Sequence, residues 1–409
     1  MASIPFNPDI NEHQRKIGLN SLLVYTFFMV AGFSMLMPLV AVHFVNNVGL
    51  TTSLVGIALA VRQSCQQGLT VIGGMLCDKL GAKPMIVVGV LVRAIGFACL
   101  AWANEPVWLF VAMILAALGG ALFEAPYQAT IVALTTEKDR SHYYIVSNWV
   151  GGVATTVGPL IGIFLLQFDF ASVCYGAAMC FLLNSLISLF LLPSLMTSTE
   201  KGASFSNLNL VWQNKRFVFF TALMMGYWFT SVQFNLSFPL WAEKLSGHTE
   251  SVGIMYALSA VITITLQYHL VKYCERWLNT NQIFLLGMLI MSLSSGVIGF
   301  MQSFNGFLIC VVFFSLGVLL TRPTQQAITA HLADKKALGS FMGFSYLGLA
   351  IGGGLGNWLG GLMLDFAALH NTPIFPWLIY SLVGLASTLA LSRLLKTCHL
   401  ASQQTEVTT

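Results

Sequence analysis

Four charged side chains interrupt stretches of sequence that are otherwise apolar: Arg62, Arg93, Glu124 and Arg322. An ion at the centre of an apolar slab costs roughly 2.5–3.5 kcal/mol, so each must face a wet cavity, a polar partner or an opposite charge. Glu124 is the one acid well inside such a stretch. A carboxyl group there carries a proton only where loss of hydration and the pull of nearby cations balance near neutral pH. Three roles stay open for it: a proton-coupling or substrate-cation residue, a structural ion pair with Arg93, Arg62 or Arg322, or a gate residue near the cytoplasmic mouth. Arg62 opens the run Arg62-Gln63-Ser64-Cys65-Gln66-Gln67, in which Arg62 and Gln66, four apart, share a helix face. Glu124 is followed by Pro126 and Gln128, and Arg322 by Pro323, Gln325 and Gln326. Three cations against one acid leave a ligand of either charge in play. Further along, Tyr227, Gln233 and Asn235 combine aromatic and amide groups, as cavities for variably shaped ligands do. The expected cavity lining is therefore Gln66, Gln128, Tyr227, Gln233, Asn235 and Gln325, with bonding between helices as the equal alternative for Gln66 and core packing for Tyr227, Gln233 and Asn235.

The elements that position these groups follow from composition. The chain has 409 residues, a mean hydropathy of +0.78 and only 8% charged residues, far outside ordinary globular composition. About 20 apolar residues cross a hydrocarbon core. That ruler predicts twelve crossings: 17–42, 52–76, 84–102, 107–132, 144–168, 171–194, 217–241, 250–271, 281–300, 304–331, 339–366 and 374–395. They must be helices, because strands with open edges would leave backbone groups unpaired in lipid. Of the 19 Lys and Arg residues, 15 fall in segments sharing one side. The opposite side carries Lys244 with Glu105, Asp169, Glu243, Glu250 and Asp365. This asymmetry predicts a multi-pass protein of the bacterial inner membrane with both termini cytoplasmic. The formal charge of +4 is then a topology signal, and nucleic acid is not an expected partner. Residues 1–16 lack the order of a cleavable signal peptide. The eight cysteines are scattered, and no metal-ligand spacing appears. Neither a phosphate-binding loop nor the hydrolase patterns HExxH and GxSxG occur, so an enzyme is the weaker reading and no cofactor is expected beyond a coupling proton.

The chain also repeats itself. At an offset of 197 residues Pro126 falls on Pro323, Ile131 on Ile328, Ala133 on Ala330, Glu137 on Asp334 and Lys138 on Lys335. The same offset brings Asp78 to Glu275 and Lys79 to Arg276. The predicted organisation is an N-terminal six-helix bundle over 1–194, a linker over 195–216, a C-terminal bundle over 217–395 and a tail over 396–409. Two such halves place a ligand cavity between them.

The loop after the second crossing reads Gly73-Gly74-Met75-Leu76-Cys77-Asp78-Lys79-Leu80-Gly81-Ala82-Lys83. It resembles the signature loop of the major facilitator superfamily, with Gly74, Asp78, Gly81 and Lys83 at matching places. The resemblance covers almost the full length and implies the twelve-helix fold and secondary transport. It assigns gating to Gly74, Asp78, Lys79, Gly81 and Lys83, and to Glu275 and Arg276 in the second half. Lys79 and Ala82 stand where the family commonly has Arg. Asp78→Asn is accordingly expected to impair turnover more than binding. Gly158-Pro159-Leu160-Ile161-Gly162 resembles the Gly-Pro motif of the family's proton-coupled exporters, with Ala154 four residues upstream of Gly158 as a small-for-small departure. Gly158, Pro159 and Gly162 are expected to set helix packing. The arginine such exporters often carry before Gly119 or Gly120 is missing, Leu115 and Ala116 standing there. Pro84-Met85-Ile86-Val87 and the segment from Ser345 to Gly353 are similar to the MdtH-like multidrug-resistance group. That likeness implies proton-driven efflux of small organic compounds by a monomer surrounded by lipid. A dedicated metabolite or siderophore carrier and a ligand sensor without transport are the alternatives.

Overall fold

The computed structural model describes residues 11–193, 210–333 and 338–407. Every predicted crossing has a helix in it. These are α1 (Glu12–Val42), α2 (Thr52–Leu80), α3 (Ala82–Cys99), α4 (Pro106–Leu134), α5 (Glu137–Leu166), α6 (Phe170–Leu191), α7 (Lys215–Ser231), α8 (Ser237–Ser246), α9 (Glu250–Cys274), α10 (Thr280–Ile298), α11 (Phe304–Leu332), α12 (Leu338–Leu369) and α13 (Phe375–Val407). Helix starts follow ordinary capping: Thr51 accepts from the Leu54 amide, and Asn279 and Gln282 form a reciprocal capping box. Eleven crossings among the described residues are long and apolar enough to span a membrane by composition. The exception is α2, whose run from Arg62 to Gln67 dilutes its hydropathy.

The seventh crossing differs from expectation by being broken. Between α7 and α8 the chain makes a 3-10 turn over Val232–Asn235. Pro239 explains the break: it has no N–H to donate and its ring would collide with the carbonyl four residues back. Most of the expected linker lies outside the described residues, and α13 runs past the predicted end of the last crossing.

Two bundles repeat one design. In the first, α3 packs on α4 through a reciprocal glycine pair: a Cβ at Gly89 would sit 2.9 Å from the Gly119 carbonyl oxygen, and one at Gly119 2.5 Å from that of Gly89. In the second, Gly287 and Gly317 do the same on α10 and α11, at 2.8 and 2.6 Å. The turn after α2 closes through the Gly81 amide on the Cys77 carbonyl, and its counterpart through Leu278 on Cys274, at the same 197-residue offset. Gly81 has φ +87°, a conformation that glycine adopts without strain. Peripheral helices α3, α6, α10 and α13 present Ile95, Phe190, Leu293 and Leu389 outward, a surface suited to lipid.

The halves meet along α2 and α12. Helix α12 has two glycine faces. Gly348, Gly352 and Gly356 lie against the backbone of Thr221, Met225 and Phe229 on α7, within its own half. Gly354 and Gly361 lie against Ser64 and Thr52 on α2, in the other half. Small residues allow this close approach where hydrophobic burial supplies no drive.

Candidate functional site

The buried charges of the first half converge. Arg62 on α2, Arg93 on α3 and Glu124 on α4 surround Gln66, and the amide joins two of them. Its Oε1 accepts from Arg62 Nη1 at 3.2 Å, and its Nε2 donates to Glu124 Oε2 at 3.4 Å. Arg62 Nη2 also donates to Gln63 Oε1 at 3.2 Å. Among the described residues no cation lies within 4.0 Å of the Glu124 carboxylate. Where the ion-pair alternative would have Glu124 touch a cation, the Gln66 amide bridges it to Arg62.

Arg93 solves its burial differently. Its guanidinium lies over four phenylalanine rings, 5.3 Å from Phe33, 5.5 Å from Phe97, 5.5 Å from Phe123 and 5.2 Å from Phe181. Each such contact stabilises a cation by roughly 0.5–2 kcal/mol, which offsets much of the cost of leaving water. Arg62 shares the Phe33 ring at 5.4 Å. Gly120 makes the arrangement possible, because a Cβ there would approach Gln66 Cδ to 2.7 Å and Arg93 Nη1 to 2.9 Å. A guanidinium from α3 thus stands beside the α4 glycines, where the resemblance had looked for an arginine on α4 itself.

The cavity expectations fare less evenly. Tyr227 is fully buried, with Thr321 as its hydroxyl neighbour at 3.5 Å. Gln233, also fully buried, staples the break in the seventh crossing to α12. Its Nε2 donates to the Phe229 and Gly356 carbonyls at 3.0 and 2.7 Å, and its Oε1 accepts from Ser237 at 2.7 Å. Tyr380 extends this network through Ser237 and the Gly360 carbonyl. Both residues are therefore packing rather than cavity lining: the Gln233 amide has its nitrogen and oxygen engaged inside the bundle, and Tyr227 has no exposed surface. Asn235 is exposed and accepts from Tyr256 at 2.8 Å. Gln128, exposed, accepts from Tyr144 at 3.1 Å, and Gln325 donates to Thr329 at 3.1 Å. Arg322 is exposed on α11, apart from the cluster.

The motif residues occupy helix contacts. Gly158 lies against the Ala31 carbonyl and Gly162 against that of Met35, so α5 and α1 touch backbone to backbone; Pro159 is buried. Gly74 is loosely packed against Ala125 at 3.7 Å, whereas its neighbour Gly73 is pressed onto the Ala121 carbonyl of α4. Lys79, Glu275 and Arg276 are exposed and Lys83 is half-buried. The Asp78 side chain lies outside the described residues.

One feature of the interface had no local signature. Asp365, near the end of α12, accepts from the backbone amides of Thr52 at 2.9 Å and Ser53 at 2.7 Å. Its carboxylate thereby caps the first turn of α2 in the opposite half, where the helix dipole favours negative charge. Beside it, Asn46 donates to Glu243, which also accepts from Thr249 at 2.6 Å. The sequence shows only two acids near loops. From this acidic face, contacts continue inward to the hydrogen bond from Ser64 to the Ala350 carbonyl at 3.0 Å.

Residues 22–356 match the profile of the Major Facilitator Superfamily. The chain is 37% identical over 377 residues to the multidrug resistance protein MdtH of Yersinia enterocolitica, covering 92% of this chain and 94% of that protein. The MdtH of Photorhabdus laumondii is 37% identical over 379 residues, covering 93% and 94%. Among solved structures, an auto-inhibited POT family peptide transporter superposes with a TM-score of 0.78 at 13% identity, over 93% of this chain and 96% of that one. The nucleoside transporter NupG gives 0.73 at 14% identity, over 92% and 99%. At such identities the structures speak for the fold, and the curated relatives and the profile for the family. This chain belongs to the Major Facilitator Superfamily and is a multi-pass membrane transporter.

Proposed function

We propose that this transporter exports small amphiphilic organic compounds in exchange for protons, by alternating access between its two halves. The observation that carries the reading is Glu124: a titratable acid inside the bundle, held by one amide and, among the described residues, by no cation within ion-pairing distance. Such a group can take up and release a proton without first breaking a strong ion pair. The names of the curated relatives support the ligand class. The charge asymmetry supports a bacterial inner-membrane orientation with the basic loops and both termini in the cytoplasm. In that orientation the contacts from Asp365–Thr52 to Ser64–Ala350 join the halves from the outer side inward, which supports a state closed to the outside. Proton uptake at Glu124 and ligand release would alternate with opening of that shut face. The working unit is a single chain in lipid, with the two-bundle division near residues 195–216.

The test uses purified protein in oriented proteoliposomes with an imposed proton gradient and labelled cationic, zwitterionic and anionic compounds. Gradient-driven flux of several unrelated compounds is expected, with loss of at least tenfold in Glu124→Gln. Flux of a single chemical class, or flux indifferent to gradient and mutation, points to a dedicated carrier and overturns the reading.

A further inference from the structure

The polar chain around Glu124 does not end within its own half. Gln66 hands Glu124 to Arg62, and Arg62 hands on to Gln63. Gln63 and Ser64 then stand at the boundary: Gln63 borders Gly353 of α12, whose Cβ would lie 3.6 Å from Gln63 Cγ, and Ser64 donates to the Ala350 carbonyl. Four consecutive contacts thus run from the acid to the surface on which the halves separate. Building on the reading of Glu124 as the protonated group, we propose that Gln66 is the positioning residue linking its charge to the α2–α12 contact. With Glu124 ionised, the Gln66 amide is polarised from both ends, by Arg62 on its oxygen and by the carboxylate on its nitrogen. This holds Arg62 and its Gln63 partner in the register that seats Ser64 on Ala350. Neutralising Glu124 removes the acceptor charge, so the amide loses one of its two anchors and α2 loses a constraint at the interface. The groups facing Glu124 from each packed helix are Gln66 from α2, Arg93 from α3, Tyr25 from α1 and Tyr346 from α12. Tyr346 already belongs to the opposite half; among the others, Gln66 has described hydrogen bonds that lead through Arg62 to Gln63, the side chain bordering Gly353. Arg93 ends in its phenylalanine box, and Gly120 keeps room for both side chains.

The experiment is a double-mutant cycle read by conformation, with no flux measurement in it. Non-cysteine spin labels at exposed Glu105 and Thr372 report the separation of the halves across the acidic face, in full-length protein in lipid nanodiscs. Glu124→Gln, which mimics the neutral acid, is expected to raise the open-to-closed ratio about fivefold or more, the ordinary size of a coupling between sites. In a Gln66→Leu background the same substitution is expected to change it less than twofold. Gly120→Ala, which displaces the amide without altering it, should uncouple in the same way, while Gln67→Leu should leave the cycle as in wild type. An undiminished Glu124→Gln effect in both the Gln66→Leu and Gly120→Ala backgrounds, or no effect in any background, overturns the link. If Gln66→Leu does not fold, Gly120→Ala alone decides. Loss of proton-driven flux with an intact cycle would instead sink the export reading and leave the link standing.

Discussion

Gln233 shows how burial changes the meaning of a residue. An amide beside aromatic residues on a cavity helix looks like a ligand contact, yet its nitrogen serves two backbone carbonyls and its oxygen a serine. Leaving buried partners unsatisfied costs about 1–3 kcal/mol. Gln233→Leu is therefore expected to lower the thermal unfolding temperature in detergent while leaving the pattern of competing transported compounds unchanged. A changed pattern at normal stability would return Gln233 to the cavity. Arg93 teaches the converse: a cation with no described carboxylate within ion-pairing distance is enclosed here by four rings from α1, α3, α4 and α6.

Helices α2 and α12 form the element pair on which the transport cycle must act. On the acidic side Gly56 receives the Asn357 carbonyl and Gly361 that of Thr52, so each glycine seats the other helix's backbone. Gly253, which lies 197 residues after Gly56, receives the Ile163 side chain on the α5–α9 side. Repeat-related glycines thus shut both seams. A side chain at Gly56 cannot fit the shut seam, and overpacking of this kind costs about 1–3 kcal/mol. Opening relieves it at no cost to packing within either half. Gly56→Leu is expected to lengthen label distances across the acidic face with helix content unchanged. Distances as short as in wild type would mean that the seam deforms instead of opening. Gly352→Leu, directed at α7 within one half, should destabilise the bundle without this shift.

For the molecule as a whole, the shut face is held by charge as well as shape. Asp365 reaches across the halves to the amino end of α2, an interaction that stabilises the contact by about 0.3–2 kcal/mol. Asp365→Asn retains one acceptor oxygen but turns an N–H group towards the amides. The open-to-closed ratio at this face is expected to rise roughly two- to thirtyfold, the same energy expressed as a population. Labels at Glu105 and Thr372 read it directly, and an unchanged ratio would leave closure to the glycine seams alone. The bundles themselves should persist, since each has its own reciprocal glycine pair and aromatic core.

Much of this architecture was legible in the chain. Hydropathy placed a helix in every predicted crossing, because backbone groups in lipid have no alternative to helix, though the fifth helix begins earlier and the last runs further than predicted. The family was visible in the loop around Gly74 and Gly81, where a sharp reversal needs glycine. The cluster of Arg62, Gln66 and Glu124 was half visible: an ion inside an apolar stretch must have company, but spacing along one helix does not say which helix supplies it. The break at Val232–Asn235 was not read, although Pro239 was there to signal it. The phenylalanine box around Arg93, the burial of Tyr227 and Gln233, and the grip of Asp365 on α2 belong to tertiary structure. Each depends on residues far apart in the chain meeting at one place, and residue order encodes which contacts are affordable, not which helices will share them.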